Sequence, residues 1–207
     1  MKKALIMFSM FFMIATSFAS YSAIKYSDSP LEAANSLAEK DIINDHKNDP
    51  ENYNLNDYVL RQEIAAVSRW VAWLPKKSKC DNIFDDLSST NPNWWACVNV
   101  EVLVDNDLIS RNDMFRPEDN ITKAETIGML IKSIGFDYSY NSNSSKGWQE
   151  QIVDYAVEKW VIEEFTDYDT LATRGWVFMV ADTTIKKDEE IKIEKKMKDE
   201  SYTDESL

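Results

Sequence analysis

The chain has 207 residues, enough for one ordinary domain or for several small repeats. Its formal net charge of −13 at neutral pH argues against nucleic acid and anionic membrane surfaces as general partners. With two cysteines and a single histidine, the chain also has few groups for metal or nucleophilic chemistry.

The N-terminus has the pattern of a secretory signal peptide. Lys2 and Lys3 precede an apolar run that extends to Ala15, and the small residues Ser17 and Ala19 suit a signal peptidase, so we expect residues 1–19 to be removed. A transmembrane anchor is the alternative, but the run is about 15 residues long and a spanning helix needs ~20. No later segment is apolar enough to cross a bilayer. We therefore expect an exported mature chain without a membrane span, with a net charge of −15 because both lysines are lost.

The stretch from Phe84 to Phe136 predicts a helix, a long loop and a second helix. Thr122 is followed three residues later by Glu125, which is the spacing of a capping box at a helix start. Gly135 is a candidate C-terminal stop for the same helix. Between them, apolar residues recur at helical spacing and predict one buried face: Ile127, Leu130, Ile131 and Ile134.

Five fragments follow one another over roughly residues 80–137: Phe84-Asp85-Asp86-Leu87, Trp95-Ala96, Leu108-Ile109-Ser110, Phe115-Arg116-Pro117 and Ile121-Thr122-Lys123-Ala124-Glu125. In this order and spacing they resemble an S-layer homology (SLH) module. The stretch departs from the family at Lys123, which keeps the charge of the usual Arg but loses the planar guanidinium. The resemblance implies a compact three-lobed prism with pseudo-threefold symmetry and grooves between the lobes.

Two further copies of the same unit flank this stretch. Helical segments beginning at Pro30 and Gln149 align with the first helix at Ala96, and segments at Val59 and Ala172 align with Ile121. The predicted fold is therefore all-α, with three helix-loop-helix SLH-like repeats packed as a pseudo-threefold prism. We place a degenerate first repeat at 20–77, the second at 78–137 and the third at 138–187. Residues 188–207 form a charged tail, predicted as a solvated helix extension that ends in disorder.

The outer repeats have each lost half of the capping box. Leu60 stands where the second repeat has Thr122, and Trp176 stands where it has Glu125. All three copies nevertheless keep a basic residue in the first turn of the second helix, where a cation opposes the helix macrodipole. A residue kept three times against a local preference suggests a function. These residues are Arg61, Lys123 and Arg174.

The resemblance implies attachment to cell-wall polysaccharide, with the basic residue of each motif reaching an acidic, for example pyruvylated, sugar. A Trp face can stack on a sugar ring, and a guanidinium can hold a carboxylate through two hydrogen bonds. The alternatives are core packing for the tryptophans, and a solvated position or an intramolecular ion pair for the cations. For Trp70, Trp73, Trp94, Trp160 and Trp176 we expect packing. Carried over by position, the predicted carbohydrate-binding residues are Arg61, Lys123, Arg174, Trp95, Trp148, Asp28 and Asp86.

Cys80 and Cys97 are predicted to form a disulfide. An even number of cysteines in an exported chain favours this pairing, which would tie the loop before Phe84 to the first helix of the second repeat. Closing a loop of about 18 residues contributes roughly 3 kcal/mol in the chain-entropy model.

Catalysis is not expected. His46 lies in an acidic loop, and no catalytic triad order, phosphate loop, zinc cluster or calcium loop is present in the sequence. Asp85 and Asp86 are adjacent and so are poorly placed to frame a glycosidic bond, which makes loop capping their expected role. We predict no cofactor and no enzymatic activity.

Two hypotheses follow for an exported protein of a bacterial cell envelope. The first is a non-catalytic module that docks on cell-wall polysaccharide. The second is a module that assembles with other envelope proteins without binding glycan.

Overall fold

A computed structural model describes residues 26–43, 53–134, 136 and 138–204, with side chains up to residue 199. The predicted signal peptide, His46 and the helix stop at Gly135 lie outside the described residues.

Within the described residues the fold is all-α, as predicted: six helices are present, and backbone pairing between loops is limited to isolated bridges. The helices are α1 (Pro30–Glu39), α2 (Arg61–Val71), α3 (Trp94–Asp105), α4 (Lys123–Ser133), α5 (Trp148–Glu158) and α6 (Arg174–Asp204). In terms of the predicted repeats, α1, α3 and α5 are the first helices and α2, α4 and α6 the second helices.

The second helices begin at Arg61, Lys123 and Arg174, the aligned basic positions of the three repeats. The capping box predicted before α4 is formed: the Thr122 hydroxyl accepts from the Glu125 N–H at 3.2 Å, and the Glu125 carboxylate accepts from the Thr122 N–H at 3.1 Å. At α2 only the glutamate half remains, since Leu60 has no side-chain acceptor. There the Glu63 carboxylate accepts from the Leu60 N–H at 2.8 Å.

The segments just before the second helices close a ring of backbone hydrogen bonds. Val59 N–H donates to the Ala172 carbonyl at 3.0 Å, Ala172 N–H to the Ile121 carbonyl at 2.9 Å, and Ile121 N–H to the Val59 carbonyl at 2.9 Å. Each segment thus donates to one neighbour and accepts from the other, the relation expected of three copies around one axis. A second cyclic set of backbone hydrogen bonds lies two residues further along each segment. The Arg61 N–H donates to the Asp119 carbonyl, the Lys123 N–H to the Thr170 carbonyl and the Arg174 N–H to the Asp57 carbonyl.

Helix packing follows the same cyclic order. The second helices α2, α4 and α6 contact one another at the centre. Each first helix has its main contact with the second helix of the preceding repeat: α3 packs on α2, α5 on α4, and α1 closes the ring on α6. The repeats therefore interlock, and no repeat could bury its apolar residues alone. The contacts agree with the expected threefold arrangement, while the three-lobed prism outline stays a prediction.

The core between these helices contains the apolar face predicted for α4, where Ile127, Leu130 and Ile131 have no exposed surface. Ile64 on α2 and Ala181 on α6 are equally buried. The disulfide between Cys80 and Cys97 is present, with the Cα atoms 5.6 Å apart, and it ties the loop before Phe84 to α3 as expected.

The charged C-terminal segment continues α6 without a break from Arg174 to Asp204. Its part near Ile185 is held to the N-terminal end of the described chain, since Lys186 contacts both Asp182 and Ser27. Residues 191–196 are exposed, as the predicted solvated helix extension requires. The predicted disordered end lies outside the described residues.

Candidate functional site

Two of the three motif cations pair with a glutamate of the following repeat. Arg61 donates from Nη1 to Glu125 Oε1 at 2.7 Å and from Nε to the Phe115 carbonyl at 2.9 Å. Arg174 repeats the arrangement, with Nη1 3.3 Å from Glu63 Oε1 and Nε 2.8 Å from the Tyr53 carbonyl. Both arginine side chains are largely buried, at 14% and 18% exposed.

The third cation has aromatic partners instead. Trp176 occupies the position of the paired glutamates, so Lys123 has no carboxylate at that place. Its Nζ lies 5.3 Å from the centroid of the Trp176 ring and 5.7 Å from that of Phe165. A cation in the first turn is thus retained three times because it binds the next repeat, which offsets its unfavourable position on the helix dipole.

Burial lowers the pKa of the Arg61 guanidinium, and the charge of Glu125 opposes this shift. Since an arginine stays charged in proteins, Glu125 supplies the counter-charge that the largely buried guanidinium needs. These contacts match the intramolecular ion pair that the sequence left as an alternative. A direct contact between these cations and a glycan stays a prediction.

One groove lies between α2, α3 and α6 and has a volume of about 830 Å³, within the range of ligand sites. It brings together two predicted site residues, Arg174 and Trp95, with Glu63 between the repeats. We call it the tryptophan groove because four exposed tryptophans line it: Trp70, Trp73, Trp94 and Trp95.

A second pair of depressions lies on the next face of the ring. They have volumes of about 270 and 200 Å³ and share Arg61, Glu125 and Trp148. Trp148 is 45% exposed, so its ring is open to solvent there. We refer to these depressions as the Arg61 groove.

The two grooves are built by one rule: each takes its arginine from one repeat, its glutamate from the next and its tryptophan from the third. The corresponding third set is Lys123, Trp176 and Ser29. Ser29 is the N-cap of α1, where its hydroxyl accepts from the Glu32 N–H at 3.2 Å. The third set therefore lacks both the carboxylate and the first-helix tryptophan.

The expectation of packed tryptophans was wrong for Trp70, Trp73, Trp94 and Trp160. They are 38%, 56%, 59% and 81% exposed, and of the five expected to pack only Trp176 lies partly buried against the core. For Trp94, the sequence itself indicated that the ring could be exposed. Trp94 and Trp95 are neighbours on a helix, about 100° apart around its axis, so they cannot both point directly at one core.

Trp73 also has an unusual backbone conformation. It follows the C-terminus of α2 with φ 54°, the left-handed region in which glycine is favoured and a bulky side chain is strained. A strained residue that also exposes most of an aromatic side chain contributes little to folding. Trp160 shows the same combination outside both grooves, with φ 58° and 81% exposure, so the strain belongs to the helix end and does not by itself mark the groove.

The two predicted aspartates do not line either groove. The Asp86 carboxylate accepts from the Phe115 and Arg116 N–H groups at 2.8 and 2.6 Å, and so fixes the loop whose carbonyl holds Arg61. Asp28, just before α1, donates its backbone N–H to Glu32 at 2.8 Å. For Asp86, the contacts are those of the loop-capping role expected from sequence.

One His/Cys/Asp/Glu cluster in the described part of the chain is tight enough to hold a metal: Cys80, Cys97 and Glu101. The two sulfurs are bonded to each other and so are not thiolate ligands. The fully buried Glu101 carboxylate accepts from the Asp81 and Ile83 N–H groups at 2.7 and 3.1 Å. The cluster therefore anchors the loop before Phe84.

No protein-family model matches the chain. It is similar to the "Middle cell wall protein" of Brevibacillus brevis, with 24% identity over 142 residues. The match covers 66% of this chain but 13% of that protein, so the chain spans a small part of the relative's length. Of the helices in residues 26–43, 53–134 and 138–204, none has both the length and the apolarity to span a membrane.

Proposed function

We propose that the chain is a non-catalytic, SLH-type module of the bacterial cell surface that attaches to cell-wall polysaccharide through the grooves between its repeats. The observation that carries this proposal is the placement of exposed tryptophans at inter-repeat grooves, Trp95 beside Arg174 and Trp148 beside Arg61. Solvent-exposed aromatic faces contribute little to stability, and stacking on sugar rings is an interaction for which they are suited.

The similarity to a cell wall protein supports the same location. A net charge of −13 does not exclude an acidic glycan, since physiological salt limits the reach of surface charges to about 8 Å. The chemistry at short range in the groove then decides binding. The sequence pattern of residues 1–19 supports export.

The test is co-sedimentation of the full chain with purified walls of the source bacterium. Binding should require both grooves, so the double variant Trp95→Ala/Trp148→Ala should lose most of it. Trp160→Ala is the matched control, because Trp160 is also exposed but lies outside both grooves. Equal binding by the double variant and the wild type would contradict the proposal.

The assembly hypothesis is separated by light scattering in the absence of walls. A monomer that binds walls supports the glycan module. Self-association together with no wall binding would replace it by the assembly module.

A further inference from the structure

Arg69 is a buried cation in the tryptophan groove that the sequence motifs do not include. It lies in the last turn of α2, is 5% exposed and lines the groove. Its Nε donates to Asn99 Oδ1 at 2.7 Å and its Nη1 to the Leu74 carbonyl at 2.5 Å. The guanidinium carbon lies 4.1 Å from the centroid of the Trp70 ring, so the indole covers one part of the cation.

Arg69 differs from Arg61 and Arg174 because its protein partners are neutral. Within the described residues it forms no ion pair, although acidic residues outnumber basic residues by 36 to 23 in the whole chain. Burial lowers the pKa of its guanidinium, with no carboxylate acting in the other direction. A buried charge without a counter-ion is costly, and a ligand that supplies the opposite charge would offset this cost.

One nitrogen of Arg69 remains available to a ligand. The described side-chain atoms that are fully buried without a hydrogen-bond partner are Gln62 Oε1 and Ser68 Oγ. Arg69 Nη2 also has no partner among the described residues, yet it is not one of these atoms, so it keeps some solvent-accessible surface on a residue that lines the groove. Asn99 and Leu74 hold the guanidinium in place, and Nη2 is free to donate.

We propose that Arg69 binds an anionic substituent of the wall polysaccharide through Nη2, while the exposed rings of Trp73 and Trp95 stack on the neighbouring sugars. This inference rests on the proposed function and moves the ligand-binding cation from the three aligned motif residues to Arg69. The motif arginines then act inside the protein, where Arg174 and Glu63 join two repeats at the groove wall. The ligand chemistry is an anion that accepts a charge-assisted hydrogen bond, either a carboxylate or a phosphodiester.

The sharpest variant is Asn99→Asp, which gives Arg69 a carboxylate of its own at the position of the neutral acceptor. Asn106→Asp is its matched control. Both residues belong to the α3 region, both side-chain amides donate to the carbonyl four residues earlier, at 2.9 and 2.8 Å, and both changes add one negative charge. Asn106 is exposed and does not line the groove.

In co-sedimentation with purified walls, we expect Asn99→Asp to bind at least about 10-fold more weakly than wild type, because its carboxylate neutralises Arg69 and repels an anion in the same groove. Asn106→Asp should bind as wild type does. Wild-type protein is also tested on walls whose carboxylates have been amidated and on walls whose phosphodiesters have been cleaved with hydrofluoric acid. Loss of binding in one of these two arms identifies the anion. Both arms use wild-type protein, so their result does not depend on whether a variant folds.

The outcomes separate this inference from the function on which it rests. If wild-type protein does not bind untreated walls, both proposals fail. If it binds and Trp95→Ala/Trp148→Ala does not, while folded Asn99→Asp binds like wild type, the glycan module stands and the role of Arg69 is overturned. Binding that survives both wall treatments would also overturn it, because no anion would then be needed.

Discussion

Arg61 Nη1 lies 2.7 Å from Glu125 Oε1, while the other carboxylate oxygen of Glu125 accepts from the Thr122 N–H. One side chain therefore caps the start of α4 and joins it to the first residue of α2. Glu63 has the two equivalent partners in the preceding repeat: the Leu60 N–H and Arg174. Helix capping and contact between repeats are thus properties of the same residue.

Removal of Glu125 should destabilise the fold more than removal of a typical residue near the surface. We expect Glu125→Ala to lower the free energy of unfolding by about 2–3 kcal/mol, because it removes a cap and leaves the largely buried Arg61 without its counter-charge. Urea denaturation measures the effect. Glu164→Ala, an exposed glutamate in a loop, is the control and should change stability by less than about 0.5 kcal/mol. A similar small loss in both variants would show that the inter-repeat pair does not stabilise the fold.

The third interface should be weaker than the first. Lys123 is held by aromatic rings, so Lys123→Ala should cost about 1 kcal/mol. Arg61→Ala, which removes the donors to Glu125 Oε1 and to the Phe115 carbonyl, should cost about 2–4 kcal/mol. Paired denaturant titrations decide the order. The reverse order would contradict the reading of Trp176 as a substitute for the missing glutamate.

Backbone strain at two exposed tryptophans gives a test that separates stability from binding. Trp73 and Trp160 have φ values of 54° and 58°, and both follow a helix end. Trp160→Gly should raise the free energy of unfolding by about 1 kcal/mol, because the left-handed conformation is unstrained in glycine. Trp73→Gly should leave stability unchanged or raise it by up to about 1 kcal/mol, since it also loses some packing.

Only one of these two variants should affect wall binding. Trp73 lines the tryptophan groove and Trp160 does not, so co-sedimentation should fall for Trp73→Gly and stay at the wild-type level for Trp160→Gly. Retained binding by a folded Trp73→Gly would remove Trp73 from the site.

The disulfide should be worth several kilocalories per mole. It closes a loop with a sequence separation of 17, so Cys80→Ala/Cys97→Ala should lower the free energy of unfolding by about 3 kcal/mol in the chain-entropy model. Thermal unfolding of the wild type with and without a dithiol reductant provides the comparison. If neither reduction nor substitution shifts the melting temperature, the loop before Phe84 is held by Glu101 alone.

The sequence predicted the elements that depend on local pattern. The Thr122–Glu125 spacing located the start of α4, and the alignment of the repeats placed Arg61 and Arg174 at the same helical position. Periodicity also identified the buried face of α4. These features rest on interactions within a few residues, which a sequence displays directly.

The features that the sequence did not predict depend on which repeats pack against each other. Nothing in one helix shows that α3 packs on α2 rather than on α4, or that Arg174 finds its glutamate 111 positions earlier in the chain. The tryptophan groove was missed for the same reason, because its walls come from α2, α3 and α6. Arg69 carries no motif, and its lack of an acidic partner is visible only when its surroundings are known.

The most direct test of the account is co-sedimentation of the wild-type chain and of Trp95→Ala/Trp148→Ala with purified cell walls, both confirmed as folded by circular dichroism. The account predicts that the wild type sediments with the walls and that the double variant remains largely in the supernatant. A wild-type chain that stays in the supernatant, or a double variant that sediments equally well, would contradict it.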